Sequence, residues 1–246
     1  MFPNACDCHV HVYEVGHPEA PTATAPPPNA PLSDYLTVRN AMGTDRIVLV
    51  QPTAYGTNNG CLLKARIELG DRARGVAVVD TGVCDTDLDR LTRAGVRGNR
   101  FQMLPGGALP WEILEEMAAR VVAFGWHVQL QMDGRRLPER VEVLSRLPGR
   151  LMIDHTGKFP QPVPIDDPSF RCLLRLLESG KVWVKLPAPY ETSKFSPPHY
   201  DDVSRLARAL VQASPDAWWG QVTGPISGSP PLGRARIASV DGRPGA

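Results

Sequence analysis

Eight short apolar runs, the first seven each followed by a helical pattern, constrain this 246-residue chain more than any other feature. The runs are Ala5–His9, Arg46–Gln51, Gly75–Asp80, Val96–Phe101, Trp126–Gln131, Leu151–Asp154, Lys181–Leu186 and Ala217–Gly220. Near-continuous β-branched and apolar character is what strands buried on both faces show. Between them, Ile113, Leu114, Met117, Ala118, Val121 and Val122 recur at helical spacing. So do Phe170, Leu173, Leu174 and Leu177, and then Val203, Leu206, Ala207, Leu210 and Val211. Asp167-Pro168 reads as an N-cap with proline at the first helical position. Gly95, Gly125 and Gly180 sit just past helical stretches, where a left-handed residue is wanted. Repeated strand–helix units imply parallel strands with right-handed crossovers. Eight of them make an α/β fold of the (β/α)8 TIM-barrel type, which usually takes about 250 residues. A doubly wound open sheet is the alternative. It is weakened because no Gly-x-Gly-x-x-Gly follows the first run.

Composition narrows the function. Lys+Arg 27 against Asp+Glu 26 gives +1, with no basic patch, so neither nucleic acid nor a membrane surface is an expected partner. No run approaches the roughly 18 apolar residues of a membrane helix. The N-terminus shows no basic and apolar leader. Five scattered cysteines argue for a reducing compartment, so a cytoplasmic location is expected. Prolines cluster at Pro18–Pro31, Pro160–Pro164 and Pro187–Pro198, marking long connections of the kind that bind ligands. Residues 1–220 are read as the barrel domain. Residues 221–246 are rich in Gly, Pro, Ser and Arg without a helical stripe, and are expected to be a disordered tail that leaves the barrel incomplete after strand 8. The oligomeric state is left open.

The chemistry concentrates at strand ends. In Cys6-Asp7-Cys8-His9-Val10-His11, residues two apart share a face, so His9 and His11 project together at the C-terminal end of the first strand. Barrel active sites sit at that end. Two neutral imidazoles there can share a metal or polarise a carbonyl; two chance histidines are the bland alternative. Cys6 and Cys8 should share the face of Val10 and serve as core. His155 closes the apolar Leu151–Asp154 run and reads as site-facing, with a packing role as the alternative. His17 and His199 lie in proline-rich loops, and His127 opens the fifth strand at the far end. Arg97 and Arg100 in the fourth strand, Gln129 and Gln131 in the fifth and Lys185 in the seventh add polar groups. Arginine suits bidentate carboxylate recognition, so a small carboxylated substrate is the expected partner.

Six motifs occur in order: Asp7-Cys8-His9-Val10-His11-Val12, Gln51-Pro52-x-x-Tyr55-Gly56-Thr57-x-Asn59, Gly95-Val96-Arg97-Gly98-x-Arg100-Phe101, Trp126-His127-Val128-Gln129-Leu130-Gln131, Ile153-Asp154-His155-x-Gly157 and Val182-Trp183-Val184-Lys185-Leu186. Together they resemble the amidohydrolase-related ("amidohydrolase 2") family, most of all its 2-pyrone-4,6-dicarboxylate lactonase-like hydrolases. The resemblance implies a distorted TIM barrel in which His9, His11 and His155 are catalytic. They would bind the substrate carbonyl or, in metal-dependent relatives, a divalent metal such as zinc or manganese. The lactonase branch implies no cofactor, and water attack on an ester carbonyl whose oxyanion the histidines stabilise. Thr53, Tyr55, Arg97, Arg100, Gln131 and Tyr190 would hold the substrate. A catalytically dead barrel and a metal-dependent decarboxylase are the alternatives.

Two departures qualify this. The family's eighth strand ends in Trp-Gly-Ser-Asp-Trp-Pro-His, with the Asp as general base, whereas this chain reads Trp219-Gly220-Gln221-Val222-Thr223-Gly224-Pro225-Ile226. Reading codons for Ser-Asp-Trp-Pro-His one base late yields Val-Thr-Gly-Pro-Ile, the sequence of Val222–Ile226. A frameshift near Gln221 and low turnover are therefore expected. Glu191 also stands where lactonase relatives tend to carry a basic residue.

Overall fold

β1 (Cys6–Val10) and β2 (Arg46–Val50) run parallel, Cys6 beside Arg46 and Val10 beside Leu49. The computed structural model describes residues 5–214 and the backbone of Trp218–Trp219. β3 (Ala73–Ala77) lies parallel to β2, pairing Ile47 with Ala73 and Val50 with Val76, and β4 (Val96–Gln102) lies parallel to β3. β3 starts two residues before the expected run, because the register with β2 recruits Ala73 and Arg74. Val78–Asp80 continue beyond it as loop. β5 (His127–Gln131) follows in order.

The helices are α1 (Leu32–Met42), α2 (Gly60–Leu69), α3 (Asp85–Arg93), α4 (Leu114–Val122), α5 (Val141–Arg146), α6 (Pro168–Glu178) and α7 (Asp201–Ala213). Their buried faces are mainly those the periodicity picks out: Leu114, Met117, Ala118 and Val121 on α4, and Val203, Leu206 and Leu210 on α7. On α6, Cys172 and Leu176 join Phe170, Leu173 and Leu177, while Leu174 sits at the margin. The Asp167 side chain accepts from the N–H groups of Ser169 (2.8 Å) and Phe170 (3.3 Å), with Pro168 at the first turn, as the cap motif requires.

The chain divides into two compact units. One comprises the residues up to Leu130 with Leu147–Arg150. Here Val10, Ile47 and Leu49 of the first two strands, with Val12 just past β1, pack with Leu32 of α1 and Cys61, Leu62 and Ala65 of α2 into one apolar layer. The other comprises Gln131–Arg146 and the chain from Leu151 on. In it β6 (Leu151–Ile153) and β7 (Val182–Lys185) are parallel, with Leu151 beside Val182 and Ile153 beside Val184. The fold is therefore α/β with parallel strands, seven of them matching expected runs. At the place of the eighth, Trp218 and Trp219 pair in parallel with Val184 and Lys185. Ala217, Gly220 and the expected tail at 221–246, with its frameshift, lie outside the described residues. Among the described residues no helix is long and apolar enough to cross a membrane.

Candidate active site

In the first unit, the end of β1 presents the two histidines together. His9 is buried, and its Nε2 stands 3.2 Å from Nε2 of His11 with the rings edge to face. Nδ1 of His11 is 2.8 Å from the carbonyl oxygen of Val50, at the end of β2. A carbonyl only accepts, so His11 carries its proton on Nδ1. In the neutral ring its Nε2 is then a lone pair aimed at His9. The pair can share one proton, which would make a donor for a developing oxyanion, or turn two lone pairs toward one divalent cation.

β1 itself is irregular. Its register with β2 shifts between Asp7 and Val10, and strict alternation fails at Asp7. Oδ1 of Asp7 accepts from the His9 N–H (3.3 Å), while Oδ2 accepts from the Tyr35 hydroxyl of α1 (3.1 Å). Burial and the adjacent Asp7 carboxylate push the Tyr35 phenol up, so it remains a donor. Cys6 and Cys8 are buried thiols, in keeping with a core role.

Arg100 is buried near the end of β4. Nη1 donates to the Gln51 carbonyl (2.8 Å) and Nη2 to Oε1 of Gln102 (3.3 Å). His11 and Arg100 are thus anchored to consecutive carbonyls of the β2 end, Val50 and Gln51. The Gln51 side chain donates to the carbonyls of Gly56 and Asn58, fixing the loop that carries Thr53. Asn59 ties the same loop to β3, donating to the Val78 carbonyl and accepting from the Val78 N–H, both 2.9 Å.

Two expected substrate ligands have other work. Arg97 is the second residue of β4, and its Nη1 donates to the carbonyls of Thr92 and Val96, at the opposite end of the strand from Arg100. Tyr55 is 2% exposed. Its hydroxyl donates to the Glu14 carbonyl (3.0 Å) and accepts from the Glu14 N–H (3.1 Å). Composition and motif order carry no signal for either outcome; strand position does for Arg97. Thr53 is half-buried at the first residue of a 3-10 turn, Thr53–Tyr55.

In the second unit, β6 ends on Asp154 and His155, both buried, and β7 ends on Lys185, 1% exposed. Lys185 Nζ lies 3.8 Å from Oδ1 of Asp154. Buried charges persist when paired, and two adjacent apolar strands each closing on a buried ion mark a site. Sequence reasoning noted Lys185 and passed over Asp154; the signal was a charged residue ending each apolar run. After Asp154 the backbone turns left-handed for four residues in succession, with φ of 53° at His155, 55° at Thr156, 78° at Gly157 and 53° at Lys158. L-residues do not adopt such a run without cost, and strain of this kind collects at functional sites. The turn is pinned: the Gly134 N–H donates to the Lys158 carbonyl (3.0 Å), and the Lys158 ammonium pairs with Glu191. Glu191 therefore has a partner of its own. Gln131 is buried at the end of β5, and Tyr190 is 60% exposed.

The family profile described as "Amidohydrolase" matches residues 6–217. The chain is 34% identical over 223 residues to a D-galactarolactone isomerase from Agrobacterium fabrum, covering 89% of this chain and 76% of the relative. It is 33% identical over 229 residues to a 2-pyrone-4,6-dicarboxylate hydrolase from Comamonas testosteroni, covering 88% and 75%. A solved apo structure from Agrobacterium tumefaciens superposes with a TM-score of 0.84 at 32% identity, covering 89% of this chain and 78% of that one. The profile spans well over half of the residues, and the relatives are matched over most of their own length: the chain belongs to the amidohydrolase family.

Proposed function

We propose that this enzyme opens or rearranges a small carboxylated lactone by acyl transfer, on a fold of the (β/α)8 barrel type. The observation that carries the reading is the His9–His11 pair, with the His11 tautomer fixed by the Val50 carbonyl. Attack on a lactone carbonyl builds negative charge on its oxygen, and a preorganised imidazole pair is suited to meet it. His155 is the third candidate catalytic histidine, held by its left-handed turn. Arg100 takes a substrate carboxylate, and Thr53, Gln131 and Tyr190 are further candidate substrate ligands. The two relatives are named as an isomerase of D-galactarolactone and a hydrolase of 2-pyrone-4,6-dicarboxylate. On a lactone carbonyl, water as nucleophile gives hydrolysis, and a hydroxyl of the substrate itself would give isomerisation. No acidic residue follows Gly220 in the place where the family carries its base, so water attack should be slow in this chain.

A second reading is favoured by the donor set. His9, Asp154 and His155 are buried residues of metal-ligating type, and two imidazoles with a carboxylate suit zinc or manganese. A divalent cation would polarise the carbonyl in place of a shared proton. The test is turnover of 2-pyrone-4,6-dicarboxylate and D-galactarolactone before and after chelator treatment, in wild type and His9→Ala. Activity that survives the chelator and falls in His9→Ala supports the proton-sharing reading. Activity lost to the chelator and restored by zinc or manganese supports the metal.

A further inference from the structure

Three tyrosines surround the β1–β2 end, and two have their hydroxyls engaged within the fold: Tyr55 on Glu14 and Tyr35 on Asp7. Tyr13 is different. Its backbone is fixed by a two-way bridge to Ala30, with N···O distances of 2.9 and 3.3 Å. Its half-buried ring packs against the apolar layer, 6.2 Å from the His11 ring and 6.0 Å from the Tyr55 ring between centroids. Among the described residues its hydroxyl makes no hydrogen bond. The phenol lies within electrostatic reach of Arg100; burial, the larger influence, holds it in its protonated, donating form. A phenol whose backbone is fixed, whose ring lies beside His11 and whose hydroxyl is not spent within the fold is suited to donate to a ligand.

We propose that the Tyr13 hydroxyl, with Arg100, forms a subsite for an anionic substituent of the lactone, the role that Tyr55 does not fill. This rests on the lactone reading for the identity of the substrate, but the anion-binding geometry stands on Tyr13, His11 and Arg100 alone. Arg100 supplies charge, Tyr13 supplies a directed O–H donor, and the adjacent His11 sets the distance from the anion to the reacting carbonyl. A hydrogen bond to a charged group is among the stronger kinds.

The experiment is calorimetric titration with citrate, used as a small polycarboxylate probe, on wild type, Tyr13→Phe and Tyr55→Phe. Tyr13→Phe keeps every ring contact and removes only the hydroxyl. The expected result is a citrate affinity about 10- to 100-fold weaker in Tyr13→Phe with an unchanged melting temperature. Tyr55→Phe should do the reverse, lowering the melting temperature and leaving affinity alone. Equal citrate affinity in wild type and Tyr13→Phe, or no citrate binding by wild type, overturns the proposal. Citrate discrimination without turnover of any lactone would overturn the lactone reading and leave this subsite standing.

Discussion

At the scale of single residues, hydrogen-bond inventories decide roles that residue type leaves open. Tyr55 and Tyr13 are chemically identical, yet one has spent its hydroxyl and the other has not. The His9–His11 pair was readable from two-residue spacing, because strand alternation is local. The His11 tautomer was not, because it depends on a carbonyl 39 residues away. Asp202 likewise depends on partners that residue type does not reveal. It is buried, which works against ionisation, but hydrogen bonds from the Ser193 hydroxyl and the N–H groups of Lys194 and Val203 outweigh burial and hold its carboxyl below the usual value. A depressed folded-state value means stability that is full above the unfolded carboxylate value of about 3.9 and is lost as pH falls through the folded one. Asp202→Asn should therefore cost about 1–3 kcal/mol at pH 7, and the gap to wild type should close below about pH 4. Urea midpoints measured between pH 3 and pH 7 check both the size and the direction.

At the scale of elements, periodicity located the helices and the capping motif located the start of α6, since both are encoded within a few neighbouring residues. What it could not locate was irregularity. The slip in β1 and the early start of β3 are set by pairing with β2, and the left-handed turn after Asp154 is held by contacts from elsewhere in the chain. Gly134 is one of those contacts. A Cβ there would lie 2.4 Å from the Gly157 carbonyl oxygen and 2.7 Å from the Phe159 ring. Gly134→Ala should destabilise by about 1–3 kcal/mol and displace the turn that carries His155. Thermal melts and lactone kinetics on one preparation would check this: a normal melting temperature with normal kinetics would mean that the turn is not so held. The Lys158–Glu191 pair should matter less, because both side chains keep some contact with water. Glu191→Gln is expected to cost no more than about 1 kcal/mol, read from the same melts.

At the scale of the whole molecule, alternation of strands and helices was enough to read a parallel α/β fold, because each unit is local and only their number requires counting. Of the candidate residues, His9, His11, His155 and Arg100 were legible as polar groups at strand ends, whereas the surroundings of Tyr13 and Asp154 needed tertiary context, and Arg97 needed attention to which end of its strand it occupies. The most direct test of the lactone reading is kinetic. The measurement is kcat/KM for 2-pyrone-4,6-dicarboxylate and for D-galactarolactone, in wild type and His9→Ala side by side. The prediction is slow wild-type turnover of at least one lactone, falling by about 100-fold or more in His9→Ala. Equal rates in the two proteins, or no turnover of either lactone above buffer, would contradict it.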